Sequence, residues 1–139
     1  MNKSSTYSYE NGSATYTMIY KGHEFTGHAE CHPDDEDMIS ERVGLTIAET
    51  RAAIEVVRFI KEFEIKPQLK VLKHLYANMR TSKYYNPNSY EAKMLRSQIR
   101  VIERELTTIN NQLADERKFL KDYIDGKDKL YQRLRAKSQ

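Results

Sequence analysis

Residues 6–31 read TYSYENGSATYTMIYKGHEFTGHAEC, and this stretch decides the fold class. Thr6 to Glu10 and Ser13 to Tyr20 alternate β-branched or aromatic residues with polar ones. Asn11-Gly12 between them is the strongest short hairpin signal a sequence carries. Lys21-Gly22 makes a second turn, after which Phe25, Gly27, Ala29 and Cys31 alternate with Glu24, Thr26, His28 and Glu30. The spacing predicts a three-stranded antiparallel meander over about residues 5–32. One of its faces is lined by small residues and must be covered by another element.

Downstream the period changes from two to that of helices. His32-Pro33-Asp34-Asp35-Glu36-Asp37 places proline and acids where a helix N-terminus prefers them. His28, His32 and these acids share one short segment, but they lack the spaced ligand set of a metal site, so capping and solvation is the expected role. From about Val43 to Glu64, Ala48, Ala52, Val56, Phe59, Ile60 and Phe63 form an apolar face. Arg51, Glu55, Arg58 and Glu62 lie opposite at the spacing of an exposed ion-pair ladder. Pro67 is expected to break or kink the helix. Ile65, Leu69, Leu72, Tyr76 and Met79 then mark a second amphipathic segment ending near Thr81-Ser82.

The last helix is expected from about Pro87 to Asp125, with Gly126 as its stop and a short basic tail beyond. Leu95, Ile99, Ile102, Leu106, Ile109, Leu113, Leu120 and Ile124 follow a heptad with Glu116 in one slot. Unbroken, it would run roughly 60 Å at about 1.5 Å per residue, too far for one small domain to cover. The chain is therefore predicted to be an α+β single domain of residues 1–139, a small N-terminal antiparallel β-meander followed by long antiparallel α-helices with a coiled-coil-like seam. The helices fall at about 34–80 and 87–135, and the uncovered seam predicts a homo-oligomer.

Composition narrows the function classes. With 39% hydrophobic and 31% charged residues and only short apolar runs, no membrane partner is expected. The single cysteine, Cys31, fits a reducing cytoplasm. The net charge of +3 is unevenly spread. Residues 1–50 hold three Lys/Arg against nine Asp/Glu, residues 51–90 eight against three, and residues 91–139 twelve against eight. Basic helices without one dense patch favour a small anionic ligand over a stable nucleic-acid partner. No Gly-rich phosphate loop, nucleophile elbow or paired cysteine ligands occur, and His23, His28, His32 and His74 lack an obvious catalytic partner, so no enzyme, catalytic residue, metal or cofactor is expected.

The candidate site is the stretch Tyr84–Arg104. Asn86-Pro87 reads as a helix start beside Tyr84, Tyr85 and Tyr90, and Arg96, Arg100 and Arg104 rise along one flank of the helix beyond it. Flat aromatic surface and cationic forks within short reach suit a nucleotide-like anion. The same residues equally suit a plainer role, with the tyrosines pinning the loop, Asn86 capping and the arginines solvating a helix.

Three motifs resemble a known family: YKGHEFTGHAECHPDD at residues 20–35, Gly44 with Ile47-Ala48-Glu49-Thr50-Arg51-Ala52, and Tyr85-Asn86-Pro87-Asn88-Ser89-Tyr90-Glu91. Together they resemble small phage proteins of Gram-positive bacteria, more narrowly the first type of Thoeris anti-defence protein, over nearly the whole chain. Members of that family are sponges. They sequester the cyclic ADP-ribose isomers made by TIR-domain defence proteins without degrading them, and some hold cyclic oligonucleotides. The resemblance implies a sheet followed by long helices, assembled as dimers or higher oligomers such as hexamers, with pockets between subunits, working in the host cytoplasm. It also implies Arg51 as a phosphate ligand, Asn86 as a hydrogen-bonding ligand residue, and Tyr85, Tyr84 or Tyr76 as the aromatic that stacks on adenine. Arg100 and Arg104 fall where the family's long-helix arginines should. A helical scaffold or protein-binding inhibitor of phage origin is the alternative reading.

Overall fold

A computed structural model describes residues 3–10, 12–30 and 41–137. Three strands, β1 (Lys3–Glu10), β2 (Ser13–Tyr20) and β3 (His23–Glu30), form one antiparallel sheet in the order β1-β2-β3. They are followed by α1 (Glu41–Ile60), a π turn (Lys61–Ile65), α2 (Lys66–Arg80) and α3 (Tyr90–Lys137). The chain is thus α+β, with the meander at its N-terminal end as its alternation predicts. Two compact units are present, Met1–Val56 with Leu113–Gln139, and Val57–Gln112. No helix among the described residues is long and apolar enough to cross a membrane.

In the first unit the register pairs Tyr20 with His23 across a two-residue turn. Both turn residues have positive φ, 49° at Lys21 and 79° at Gly22, the twist that lets adjacent strands close without splaying. At the first turn Gly12 also has a positive φ of 80°. Asn11, expected to share that turn, lies outside the described residues.

The small-residue face of the sheet is covered by α1. Ala14, Ala29 and Ala48 form its buried centre, with Tyr9, Tyr16, Leu45 and Ile47 packed around them. Two glycines set the separation. A Cβ on Gly27 would enter the carbonyl oxygen of Ala48 and lie 2.7 Å from the amide nitrogen of Ala52. On Gly44 it would lie 3.1 Å from the Ala14 Cβ. Glycine on each partner therefore lets backbone approach backbone, and α1 crosses from β1 and β2 at Gly44 to β3 at Ala48 and Ala52.

At Pro67, where a break or a kink is expected, the second unit shows no break. Helical structure continues through the π turn, where the Lys66 amide bonds the Lys61 carbonyl, five residues back, immediately before the proline. Proline has no N–H to give and its ring crowds the carbonyl four residues earlier; a widened turn accommodates both without ending the helix. The extra residue shifts the downstream side chains by about 100° around the axis. Phe63, assigned by spacing to the apolar face, is 69% exposed and stacks at 5.0 Å on Phe59, while Ile65 and Leu69 are buried.

Two expected boundaries of the last helix also move. It begins at Tyr90 rather than Pro87, and it passes through Gly126 to Lys137. Gly126 is exposed with no atom within 4 Å of where its Cβ would stand. A glycine in an exposed helix costs about 1 kcal/mol, too little to stop a helix whose neighbours on both sides favour it. The helix start expected at residues 32–37 lies outside the described residues.

Candidate functional site

The site stretch begins where α2 stops. Thr81 closes the helix, its amide bonding the carbonyls of Asn78 and Met79 and its hydroxyl donating to Asn78 at 2.7 Å. The chain then turns on itself: the Tyr84 amide donates to the Ser82 hydroxyl at 3.2 Å, and the Tyr85 amide to the Ser82 carbonyl at 3.1 Å. Asn86 comes next, but it does not cap the helix. Its side-chain oxygen accepts from the Asn88 amide at 2.9 Å and its carbonyl from the Ser89 amide at 3.0 Å, a turn with proline at its second position. Ser89 is the cap, its hydroxyl accepting from the Ala92 amide at 3.2 Å.

Above this turn three side chains lock together. The Tyr76 and Tyr85 hydroxyls lie 3.0 Å apart, with their rings edge to face at 6.4 Å. Arg96 donates from Nη1 to the Tyr76 hydroxyl at 3.2 Å and from Nη2 to the Pro87 carbonyl at 2.6 Å. The Arg80 guanidinium sits 5.9 Å from the Tyr76 ring centre. One arginine from α3 thereby ties α2 to the loop. The two phenols are driven apart electrically: the hydrogen bond from Tyr85, with that from Arg96 behind it, holds the Tyr76 hydroxyl below its ordinary pKa. The same bond to Tyr76 raises that of Tyr85. Tyr76 also raises Arg96 above its ordinary value.

These directions set a pH experiment. With its folded-state pKa lowered, Tyr76 adds stability as pH rises through that value, whereas Tyr85, raised, loses stability as pH rises past its unfolded value. In an ultraviolet phenolate titration, Tyr85→Phe is expected to move the earliest tyrosine ionisation to higher pH, because the largest cause of the Tyr76 shift is gone. An unmoved first ionisation would assign it to another tyrosine.

The sequence-predicted residues separate into three groups. Tyr76 and Tyr85 come together as framework, joined by Arg96, and Asn86 shapes the turn whose next carbonyl Arg96 holds. Tyr84, Arg100 and Arg104 remain outward. Tyr84 is 82% exposed with the Lys83 ammonium 5.1 Å from its ring centre. Arg100 is exposed, and Arg104 lines a groove with Ile65, Val101, Glu105, Thr108 and Ile109. Arg51 belongs to the other unit, where its guanidinium donates to the backbone carbonyl of His28.

The clamp role of Arg96 and the stacking of Arg80 were not legible. Helical spacing gave Arg96 the same flank as Arg100 and Arg104, and only the fold of the loop distinguishes the arginine used internally from those left outward. Among the described residues no group of three or more His, Cys, Asp or Glu side chains could hold a metal ion. The stretch therefore offers aromatic rings, guanidinium and ammonium groups, and amide donors, a set suited to holding an anion with a planar base. Comparison of the chain with protein-family models, curated proteins and solved structures finds no match.

Proposed function

We propose that this chain binds a cyclic ADP-ribose-type signal, and related cyclic oligonucleotides, and holds it uncleaved in the cytoplasm of a phage-infected host, so that the defence effector is not activated. The observation that carries the reading is the division of labour in Tyr76–Arg104. Arg96 is consumed in bracing the loop, while Tyr84, Arg100 and Arg104 stay exposed. A braced loop holds its backbone and the Asn86 side chain already in place, which reduces the ordering cost of binding. Arginine forks match a pyrophosphate bidentately, and Tyr84 offers its face to the base. Arg51 enters as a phosphate ligand on the family resemblance, and so does closure of the pocket between copies of the chain in a homo-oligomer.

The test mixes the pure protein with TIR-generated cyclic ADP-ribose isomers, removes free ligand, denatures the protein by heat and assays the filtrate. Intact signal is the expected recovery. A linear product would make the chain an enzyme, and ligand left free from the start would end the nucleotide reading. Arg100→Ala and Arg51→Ala are each expected to lower retention at least about tenfold, the worth of one charge-assisted contact, with unchanged oligomer mass. A variant that retains ligand normally removes its residue from the site.

A second reading has its own observation. Pro67, Val71 and Leu72 of α2 and Val101 and Ile102 of α3 line an apolar groove of about 610 Å³, with Val71 58% and Val101 47% exposed. This favours a scaffold or protein-binding inhibitor. Loss of oligomer mass in Val71→Asp, with no ligand uptake by the unaltered chain, would support it.

A further inference from the structure

The sheet carries a second feature of its own. Among the described residues β3 has β2 on one side only, and along its other edge lies a groove of about 580 Å³. Its lining includes Glu24, Thr26 and His28 from β3 and Arg51, Ile54 and Glu55 from α1.

The direction of each backbone group along that edge is set by the turn. In a two-residue hairpin the closing pair, here Tyr20 and His23, is hydrogen-bonded, and bonded pairs then alternate with non-bonded ones. His23, Phe25, Gly27 and Ala29 therefore bond β2, and Glu24, Thr26, His28 and Glu30 turn their N–H and C=O groups to the open edge. The Arg51 contact agrees independently, since its guanidinium reaches the His28 carbonyl from α1. The edge thus presents a row of strand donors and acceptors, one acceptor of which is occupied by a mobile type of side chain.

We propose that this groove is a strand-addition site for an extended basic peptide segment of a partner protein, seated between β3 and α1. Strand addition supplies affinity from the main chain and specificity from alternate side chains. Peptide residues opposite Phe25 and Gly27 share the face covered by α1 and meet Ile54, so small apolar side chains fit there. Those opposite Glu24, Thr26, His28 and Glu30 share the other face, where the Thr15–His28 and Thr17–Thr26 pairs lie. The acids at both ends of that row, with Glu55 of α1 in the lining, favour lysine or arginine.

A second copy of this sheet is the wrong shape for the groove. Antiparallel pairing of β3 with β3 about a two-fold axis sets both α1 helices on one face. Because α1 lies directly on Gly27, the strand spacing of about 4.8 Å would leave the helices far closer than the 8–10 Å that helix packing needs. A bare strand meets no such clash among the described residues. On entry its amide replaces Arg51 at the His28 carbonyl.

The test titrates the full chain into a fluorescein-labelled peptide of alternating lysine and valine, acetylated and amidated, and follows anisotropy. Saturable binding is expected. With the peptide paired antiparallel to β3, the lysine amides face β3, and N-methylating them should weaken binding at least about tenfold, whereas N-methylating the valine amides should leave it unchanged. Thr26→Pro, which removes an outward donor but no bond to β2, should weaken it about tenfold with unchanged circular dichroism. If that variant misfolds, the methylated peptides decide. Exchanging lysine for glutamate should also weaken binding, and Arg51→Ala should strengthen it, opposite to the loss expected for cyclic nucleotide retention. Equal binding of both methylated peptides, or none of the parent peptide, would overturn the proposal. So would a fall in the chain's own mass on Thr26→Pro, which would place a second copy on the edge.

Discussion

Gly27→Val is expected to be the most damaging single substitution in the sheet unit, lowering stability by about 3 kcal/mol or more, at the upper end for an overpacked contact. The reason is what stands opposite. A Cβ at residue 27 meets the Ala48 carbonyl oxygen and the Ala52 amide nitrogen, both main-chain atoms of α1, and a helix backbone cannot rotate aside as a side chain can. To admit even one methyl group, α1 must lift from the sheet and uncover Ala14, Ala29 and Ala48, the buried centre of the unit. Gly22→Ala provides the contrast. It meets no atom within 4 Å but sits at φ 79°, so its cost of about 1–2 kcal/mol is local strain. Urea denaturation followed by circular dichroism gives both values, and a Gly27→Val midpoint equal to that of the unaltered chain would mean that α1 does not bear on β3.

Ile99→Ala is expected to cost about 2–4 kcal/mol, the range for emptying a buried aliphatic position. Val101→Ala, two residues along α3, should cost less than about 0.5 kcal/mol, because what little apolar contact it loses is offset by the better helix propensity of alanine. Ile99 is 9% exposed and Val101 47%, so the pair reports which face of the helix is packed. The loss at Ile99 should also reach the candidate site, since Arg96 lies one turn earlier and its bonds to the Tyr76 hydroxyl and the Pro87 carbonyl depend on where α3 stands. Faster amide exchange at Tyr85 and Ser89, the turn donors, is the expected companion effect in Ile99→Ala and not in Val101→Ala. Equal midpoints for the two variants would put the seam in another phase.

The contrast between Ile99 and Val101 also shows how legible the helices were. A heptad is a statement about one side of a cylinder, and α3 keeps a single phase through Ile99 and Leu113, both buried. The earlier helical run does not keep one phase. The π turn before Pro67 inserts a residue, and Phe63, counted with Phe59 and Ile60 by spacing, is turned out to solvent. Proline signalled an interruption, but its form was a widened turn rather than a break. In the same way Asn86-Pro87 signalled a helix start, but it forms a turn and the cap proved to be Ser89, because a side-chain oxygen can serve a loop amide or a helix amide with equal ease.

By itself the sequence determined what depends on neighbours along the chain: three strands from two-residue alternation, their two-residue turns from Asn-Gly and Lys-Gly, and amphipathic helices from their repeat. These are local or periodic properties, and side-chain direction is set by residue spacing alone. Only the tertiary structure decided which groups are spent on holding the fold and which are left exposed. Arg96 and Arg100 are four residues apart and alike in sequence, yet Arg96 is engaged by Tyr76 and Pro87 while Arg100 is exposed. Arg51, alike again, lies at the edge of β3 on the His28 carbonyl. A guanidinium carries the same charge wherever it stands, and its partners are fixed by residues distant in the chain that folding alone brings within reach.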